Sequence, residues 1–218
     1  MKQAAIILAS LAAAFLISCS STTIAIKESL GIPKRDQLVA RVKDARDEQQ
    51  QAKQQFASAL EEFLSVTGVS GGDLEAKYSK LKREYERSES RAEGVHGRIK
   101  DVERVADALF KEWKAELSQY SSDNLRQASQ KELDATRSRY DALLGAMKSA
   151  ESKMQPVLAA FKDQVLFLKH NLNARAIASL QGNVAQIQSD VGILIKDMEA
   201  SIAEANSFID QMQKSDAK

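Results

Sequence analysis

The chain has 218 residues, and its 31 lysines and arginines almost balance its 30 aspartates and glutamates. Nucleic-acid-binding proteins normally carry a basic surplus, so this balance argues against that class. A single cysteine excludes an intramolecular disulfide, while two prolines and 6% aromatic residues are typical of a helix-rich, coiled-coil-like chain.

The first 19 residues have the pattern of a lipoprotein signal peptide. Lys2 supplies a positive charge, residues 4–17 are apolar, and the run ends in Leu16-Ile17-Ser18-Cys19. The apolar stretch is too short for a stop-transfer helix, and a small residue followed by cysteine forms a lipobox. We predict cleavage between Ser18 and Cys19 and lipid attachment to Cys19. An ordinary secretory peptide with a chance cysteine is the alternative, and the position of the only cysteine disfavours it.

This signal predicts where the mature chain is located. More than one acyl chain on Cys19 gives stable membrane anchoring. An aspartate after the cysteine would favour the inner membrane, but Ser20 is present, so we expect the outer membrane with the chain facing the periplasm. Removal of Lys2 leaves 30 basic against 30 acidic residues, a net charge of zero. We assign residues 1–18 to the signal peptide, 19–32 to a flexible lipidated tether and 33–218 to a helical domain.

The first predicted helix begins at Pro33, which suits a first helical turn. Its apolar positions alternate in steps of four and three residues, as in a coiled coil, and only Gln49 interrupts them. These positions are Leu38, Val42, Ala45, Gln49, Ala52, Phe56, Ala59 and Phe63. The helix is expected to end near Val66, before a glycine-rich turn.

Three more helices follow in the predicted order. Asp73 is a good N-cap for a helix to about residue 119, and Ser122 or Asp123 can cap the next one. That third helix contains Pro156, which is expected to kink it. We place its end near residues 170–173; a turn at residues 181–183 or a continuous helix with a stutter are the alternatives.

The predicted helices have about 34, 46, 47 and 40 residues, and their short connections make neighbours antiparallel. The sequence therefore predicts an all-α fold, an elongated antiparallel helical bundle or coiled coil of about four long helices, roughly 50–70 Å long. Gly94, Gly97 and Gly145 fall at one height in this arrangement. They either allow close helix approach or are tolerated surface glycines.

Residues with catalytic chemistry are sparse. His96 and His170 are far apart and outside any metal-binding motif, so we expect structural roles for both. Trp113, Tyr85 and Tyr140 lie on helix seams, where aromatic side chains usually fill a core. We predict no enzyme activity, no catalytic residues, no cofactor and no metal site.

Three segments carry a family resemblance: GIPKRDQLVARVK at residues 31–43, GDLEAKYSKL at 72–81 and VLFLKHNLNARAIASL at 165–180. They resemble a family of uncharacterised Gram-negative envelope lipoproteins, defined only as a domain of unknown function. The resemblance covers essentially the whole mature chain. It implies an envelope location and a helical domain, and it brings no catalytic residues.

We expect a structural role, as a scaffold or adaptor for another envelope protein, with recognition at residues 67–73, 119–124 and 170–174. A lipid- or peptidoglycan-binding module is the alternative. The seams leave self-association open. A peptidoglycan link through the terminal Lys218 is a minor alternative, because a terminal lysine is common by chance.

Overall fold

A computed structural model of the protein describes residues 19–68 and 73–216. The predicted signal peptide, including Ser18, lies outside the described residues, as does Lys218. Residues 69–72 of the first predicted turn and the side chain of Cys19 also lie outside them.

The described residues form α-helices and one short 3₁₀ turn, and no strand, which confirms the predicted all-α class. The helices are α1 (Cys19–Ser29), α2 (Lys34–Thr67), α3 (Leu74–Glu116), α4 (Asp123–His170), α5 (Ala174–Gln181) and α6 (Val184–Asp216). A 3₁₀ turn, Leu117–Gln119, extends α3. The predicted count of about four omits α1 and α5, which are short.

The four long helices pack as a ring around a shared apolar core. Helix α2 contacts α3 and α6, and α4 contacts the same two helices. Glu48 of α2 pairs with Arg91 of α3, whereas Gln55, further along α2, bonds to Glu84, earlier in α3. Residues later in α2 therefore contact residues earlier in α3, so these two helices are antiparallel.

The seam predicted for α2 is buried at every position, including Gln49. At one end of the core Phe63 packs edge-on against Phe161 of α4, with ring centroids 6.3 Å apart. Gln49 is satisfied in part by Ser201 of α6, whose hydroxyl donates to Oε1 at 2.8 Å. The interruption of the heptad pattern is thus a buried polar contact between two helices.

Helix starts follow the predicted capping residues. The side chain of Asp73 accepts from the backbone N–H of Ala76 at 3.0 Å, and Ser122 does the same for Leu125 at 3.4 Å. Pro33 is the residue immediately before α2 rather than part of its first turn.

The last third of the chain contains both of the breaks that the sequence offered as alternatives. Helix α4 continues through Pro156 and ends at His170, and a second break separates α5 from α6 at residues 182–183. Asn173 caps α5 by accepting from Ala176 at 3.0 Å. The eight residues of α5 separate the two breaks, so a single turn does not describe this region.

Residues 19–29 form a helix where we expected a flexible tether. Its end is a Schellman motif, in which Gly31 has φ of +82°. The N–H of Gly31 donates to the carbonyl of Glu28 at 2.9 Å, and that of Ile32 donates to Lys27 at 3.0 Å. Glycine tolerates this left-handed conformation without strain, so the turn into α2 is well defined.

The structure distinguishes between the two alternatives offered for the three glycines. A Cβ added at Gly97 or Gly145 would meet no heavy atom within 4 Å, so these two are surface glycines. At Gly94 the added carbon would lie 2.9 Å from Oε1 of Glu48. Gly94 therefore makes room for a side chain of α2, and the three glycines do not form a close contact between α3 and α4.

Candidate interaction surface

Helices α3 and α4 continue past the start of α2. The ammonium of Lys34, in the first turn of α2, lies 3.0 Å from Oε2 of Glu112, which marks the level of that turn. From Glu112, α3 and its 3₁₀ turn run on to Gln119 before α4 returns. We call residues 113–135 the projecting hairpin; its first arm extends roughly 10 Å beyond Glu112.

Helix α6 ends near the same level. The guanidinium of Arg35 donates to the carbonyl of Met212 at 2.8 Å, and α6 ends one turn later at Asp216. The ring of four long helices therefore narrows at this end to two helices.

An aromatic cluster fixes the root of the hairpin. Phe110 and Tyr140 pack edge-on with centroids 5.4 Å apart, and the guanidinium carbon of Arg137 lies 4.9 Å from the Phe110 ring centre. Tyr140 is buried, which confirms its predicted core role. Burial, with the nearby charge of Asp107, raises the pKa of its hydroxyl. The hairpin is thus anchored by packing at the point where it leaves the ring.

Trp113 joins the two arms beyond this root. Its indole N–H donates to the hydroxyl oxygen of Ser129 at 2.9 Å, and the hydroxyl of Tyr120 approaches the same oxygen at 3.5 Å. Trp113 is half-buried and packs against the core, while Leu117 beside it is buried. The hairpin is therefore held together by its own contacts.

Two adjoining grooves run along the outside of the hairpin. The outer one has a volume of about 590 Å³ and is lined by Lys114, Leu117, Ser118, Arg126, Gln127, Gln130, Lys131 and Asp134. The inner one, of about 420 Å³, continues towards the root and is lined by Asp107, Phe110, Lys111, Lys114, Gln130, Leu133, Asp134 and Arg137. Three residues line both, so the grooves form one surface, which we call the hairpin groove.

The hairpin groove carries unpaired positive charge. Within the described ranges, no acidic side chain forms an ion pair with Lys111, Lys114 or Lys131. The carboxylate of Asp134 accepts from Gln130 at 2.8 Å. Lysines free of ion pairs beside an apolar floor suit a ligand that combines acidic and apolar groups.

The tip of the hairpin adds exposed apolar surface. Leu125 is 61% exposed and Tyr120 is 41% exposed, and both flank the turn at residues 120–122. Of the three predicted recognition segments, residues 119–124 form this tip. Residues 170–174 lie at the opposite end of the bundle. There the side-chain amide of Gln181 in α5 donates to the backbone carbonyl of Thr67 in α2 at 3.0 Å. Part of segment 67–73 lies outside the described residues.

The predicted structural residues fall elsewhere on the surface. His96 is exposed on α3, with Nδ1 2.5 Å from Oε1 of Glu151 on α4, and His170 is exposed at the end of α4. Tyr85 is half-buried and donates to Glu89 at 2.8 Å. Burial and this contact raise its pKa to about 12.

The described part of the chain contains no group of three or more His, Cys, Asp or Glu residues placed to hold a metal ion. None of its helices combines the length and hydrophobicity needed to cross a bilayer.

The groove residues Lys114, Gln130 and Lys131 were not nominated from the sequence. A signal for them was nevertheless present, because the second and third predicted helices were each longer than the first by about three turns. Two long antiparallel helices beside a shorter one must project as a hairpin. The exposed residues of that hairpin are therefore candidates for an interaction surface.

Comparisons with known proteins identify a family over most of the chain. A family model described as "Protein of unknown function (DUF2959)" matches residues 24–212, from within α1 to near the end of α6, and includes the whole hairpin. No curated protein matches the chain, and no solved structure matches it.

Proposed function

We propose that this chain, which belongs to the DUF2959 family of unknown function, is a lipid-anchored, non-enzymatic interaction protein of the Gram-negative envelope. Its location would be the outer membrane, with the helical bundle in the periplasm. In this proposal the projecting hairpin binds another envelope protein, and the bundle acts as its scaffold.

The anchor rests on the lipobox that ends at Cys19. The short apolar segment, the small residue before the cysteine and the polar residues after it suit cleavage and acylation. Position 19 is also the first residue of α1, so an attached lipid would be joined directly to a folded element.

The observation that carries the interaction role is the projecting hairpin. Stable folding of a bundle requires no extension beyond its neighbours, yet Trp113, Leu117 and Tyr140 hold this one in a defined conformation. Along it lies a groove with unpaired lysines and an apolar floor. Rigid projecting elements with partly apolar grooves are common recognition surfaces.

The test is photocrosslinking in living cells. A photoreactive amino acid replaces Gln127, which lines the groove, or Gln186, an exposed glutamine on α6 that serves as the matched control. After muramidase digestion, mass spectrometry identifies what is attached at each position. The proposal predicts a defined envelope protein attached at position 127 and absent at position 186.

Two other outcomes have definite meanings. Muropeptide or phospholipid as the adduct at position 127 would replace the adaptor role with wall or lipid binding. Equal crosslinking at both positions, or none at position 127, would remove the hairpin from the proposal.

A further inference from the structure

We propose that α1 lies flat on the membrane surface and that the long axis of the bundle therefore runs parallel to the membrane. This inference rests on the proposed lipid at Cys19. It assigns one long side of the bundle to the bilayer.

The first observation is that one face of α1 exposes apolar side chains to solvent. Positions 19 and 26 are separated by seven residues, which places them on one stripe of α1. Leu30 directly follows the helix and continues this stripe, because its N–H donates to the carbonyl of Ile26 at 3.1 Å. Ile26 is 52% exposed and Leu30 is 74% exposed. The position that would carry the lipid thus shares its stripe with two large exposed apolar residues.

The opposite face of α1 is occupied by the bundle. Ile24 packs against the apolar core, and its carbonyl accepts from the Gln37 amide at 3.2 Å. Glu28, one turn later, forms an ion pair with Lys34. Because these contacts hold one face inward, the stripe with Ile26 and Leu30 faces outward.

The second observation is the conformation of the turn that follows. The Schellman motif fixes Gly31 and Ile32, and the Gln37 amide also donates to the carbonyl of Ile32 at 2.9 Å. Ile32 is 42% exposed. It therefore adds a third apolar side chain, held on a defined turn rather than on a loose tail.

The direction of α1 determines the orientation of the bundle. Thr23 and Lys27 line a cleft together with Arg41 of α2 and with Asp101 and Arg104 of α3. Helix α1 therefore folds back along the sides of α2 and α3 instead of extending from their end. If the outer stripe of α1 lies on the membrane, the bundle lies lengthwise above it.

A bilayer is the occupant that fits this stripe. Acyl chains on residue 19 would enter the membrane, and the stripe from 19 to 30 spans only about 16 Å. An interfacial helix buries its apolar face roughly 5–10 Å deep, within reach of Ile26 and Leu30. A lipid and apolar side chains on one face can thus enter the same surface together.

Orientation can be measured on the lipidated full chain in vesicles of phosphatidylethanolamine and phosphatidylglycerol. Acylation of the only cysteine leaves Leu125→Cys or Leu172→Cys as a single free thiol for a fluorescent donor. These sites lie at opposite ends of the bundle, roughly 70 Å apart along α4. Energy transfer to an acceptor lipid should be similar from both; efficient transfer from one end only would mean an upright rod and overturn the inference.

The contribution of the stripe is tested by Ile26→Gln with Leu30→Gln. The matched control is Ile193→Gln with Leu166→Gln, which changes an isoleucine and a leucine of 48% and 51% exposure on other helices. Only the first pair should reduce energy transfer from both ends. Equal behaviour of the two pairs would contradict a role for the α1 stripe.

Failure of this inference can be separated from failure of the anchor. The intact mass of the chain purified from membranes reports acylation of Cys19 directly. The mature chain with Cys19→Ala still tests the stripe, because its partition onto the same vesicles should fall roughly tenfold or more with Ile26→Gln and Leu30→Gln. Partition that is insensitive to these changes would reject the stripe even if Cys19 is acylated.

Discussion

The ring of four helices and the projecting hairpin are built from the same kinds of residue. They differ in how fully their apolar side chains are buried and how many of their polar side chains have partners. In the ring, the seam of α2 is fully covered, and even Gln49 meets a polar partner. In the hairpin, Trp113 is only half-buried, Leu125 is exposed and Lys114 has no acidic partner among the described residues. We therefore expect most of the stability to come from the ring, whereas the proposed binding would use the hairpin.

The largest effect on stability is expected when a buried residue of the four-helix ring is truncated. Phe63→Ala should lower the free energy of unfolding by about 3–5 kcal/mol, because it removes a fully buried ring and leaves a cavity against Phe161. Urea denaturation followed by circular dichroism measures the change. Leu125→Ala is the hairpin control and should stay within about 0.5 kcal/mol; a comparable loss at both positions would contradict the division.

The polar contact in the seam is expected to have the next largest effect. Gln49→Leu should destabilise the protein by about 1 kcal/mol, because the buried Ser201 hydroxyl loses its acceptor. Removal of the buried Gln49 Nε2, which has no hydrogen-bond partner among the described residues, offsets part of that loss. The double variant Gln49→Leu with Ser201→Ala should recover most of the loss. A double-mutant cycle by urea denaturation tests this, and purely additive losses would show that the two side chains are not coupled.

A smaller effect is expected from acid at the surface of the ring. Asp197 accepts from Lys153, and this hydrogen bond, together with one from Ser149, holds the pKa of its carboxyl below the usual 3.8. The stabilisation is complete above that value and is lost as pH falls through the lower folded pKa. Wild type should therefore lose slightly more stability than Asp197→Asn below about pH 4. Parallel urea midpoints for both proteins would contradict this.

The smallest change in stability should accompany the largest change in binding. Lys114→Glu with Lys131→Glu reverses two charges in the hairpin groove and should change the unfolding free energy by less than about 0.5 kcal/mol. It should abolish the crosslink at position 127. Lys162→Glu with Lys169→Glu, both on α4 but away from the hairpin, should leave that crosslink intact. Loss of the crosslink in both variants would indicate a general charge effect.

The sequence predicted the parts of the fold that depend on local pattern. The seam from Leu38 to Phe63 and the caps at Asp73 and Ser122 were found, because burial repeats with the helical period and capping depends on neighbouring residues. Helix α1 was missed, although Gly31 followed by Pro33 is a helix-end signal that could have revealed it. The short α5 is bounded by Asn173 and Gly182, and a turn was expected from the sequence at only one of these two places.

The candidate surface was less accessible from the sequence. Helix spacing alone does not fix how far each helix rotates about its axis, so the approach of Gly94 to Glu48 of α2 was not predicted. The same limit applies to Lys114 and Lys131, which share one groove only because α3 and α4 pair in a particular register. A heptad pattern places charged residues on the exposed side of a helix, but it does not show which of them form ion pairs.

The contact between Arg35 and Met212 has a mechanical consequence. It brings the beginning of α2 beside the end of α6, and these antiparallel neighbours then run together past Gln49 and Ser201 to Lys53 and Glu199. A load that pulled the start of α2 away from the end of α6 would peel these helices from each other turn by turn, starting at Arg35. It would not shear all their contacts at once. Tension between the start of α2 and the end of α6 would therefore meet a series of small energy barriers. The ring would open progressively from the end that bears the hairpin.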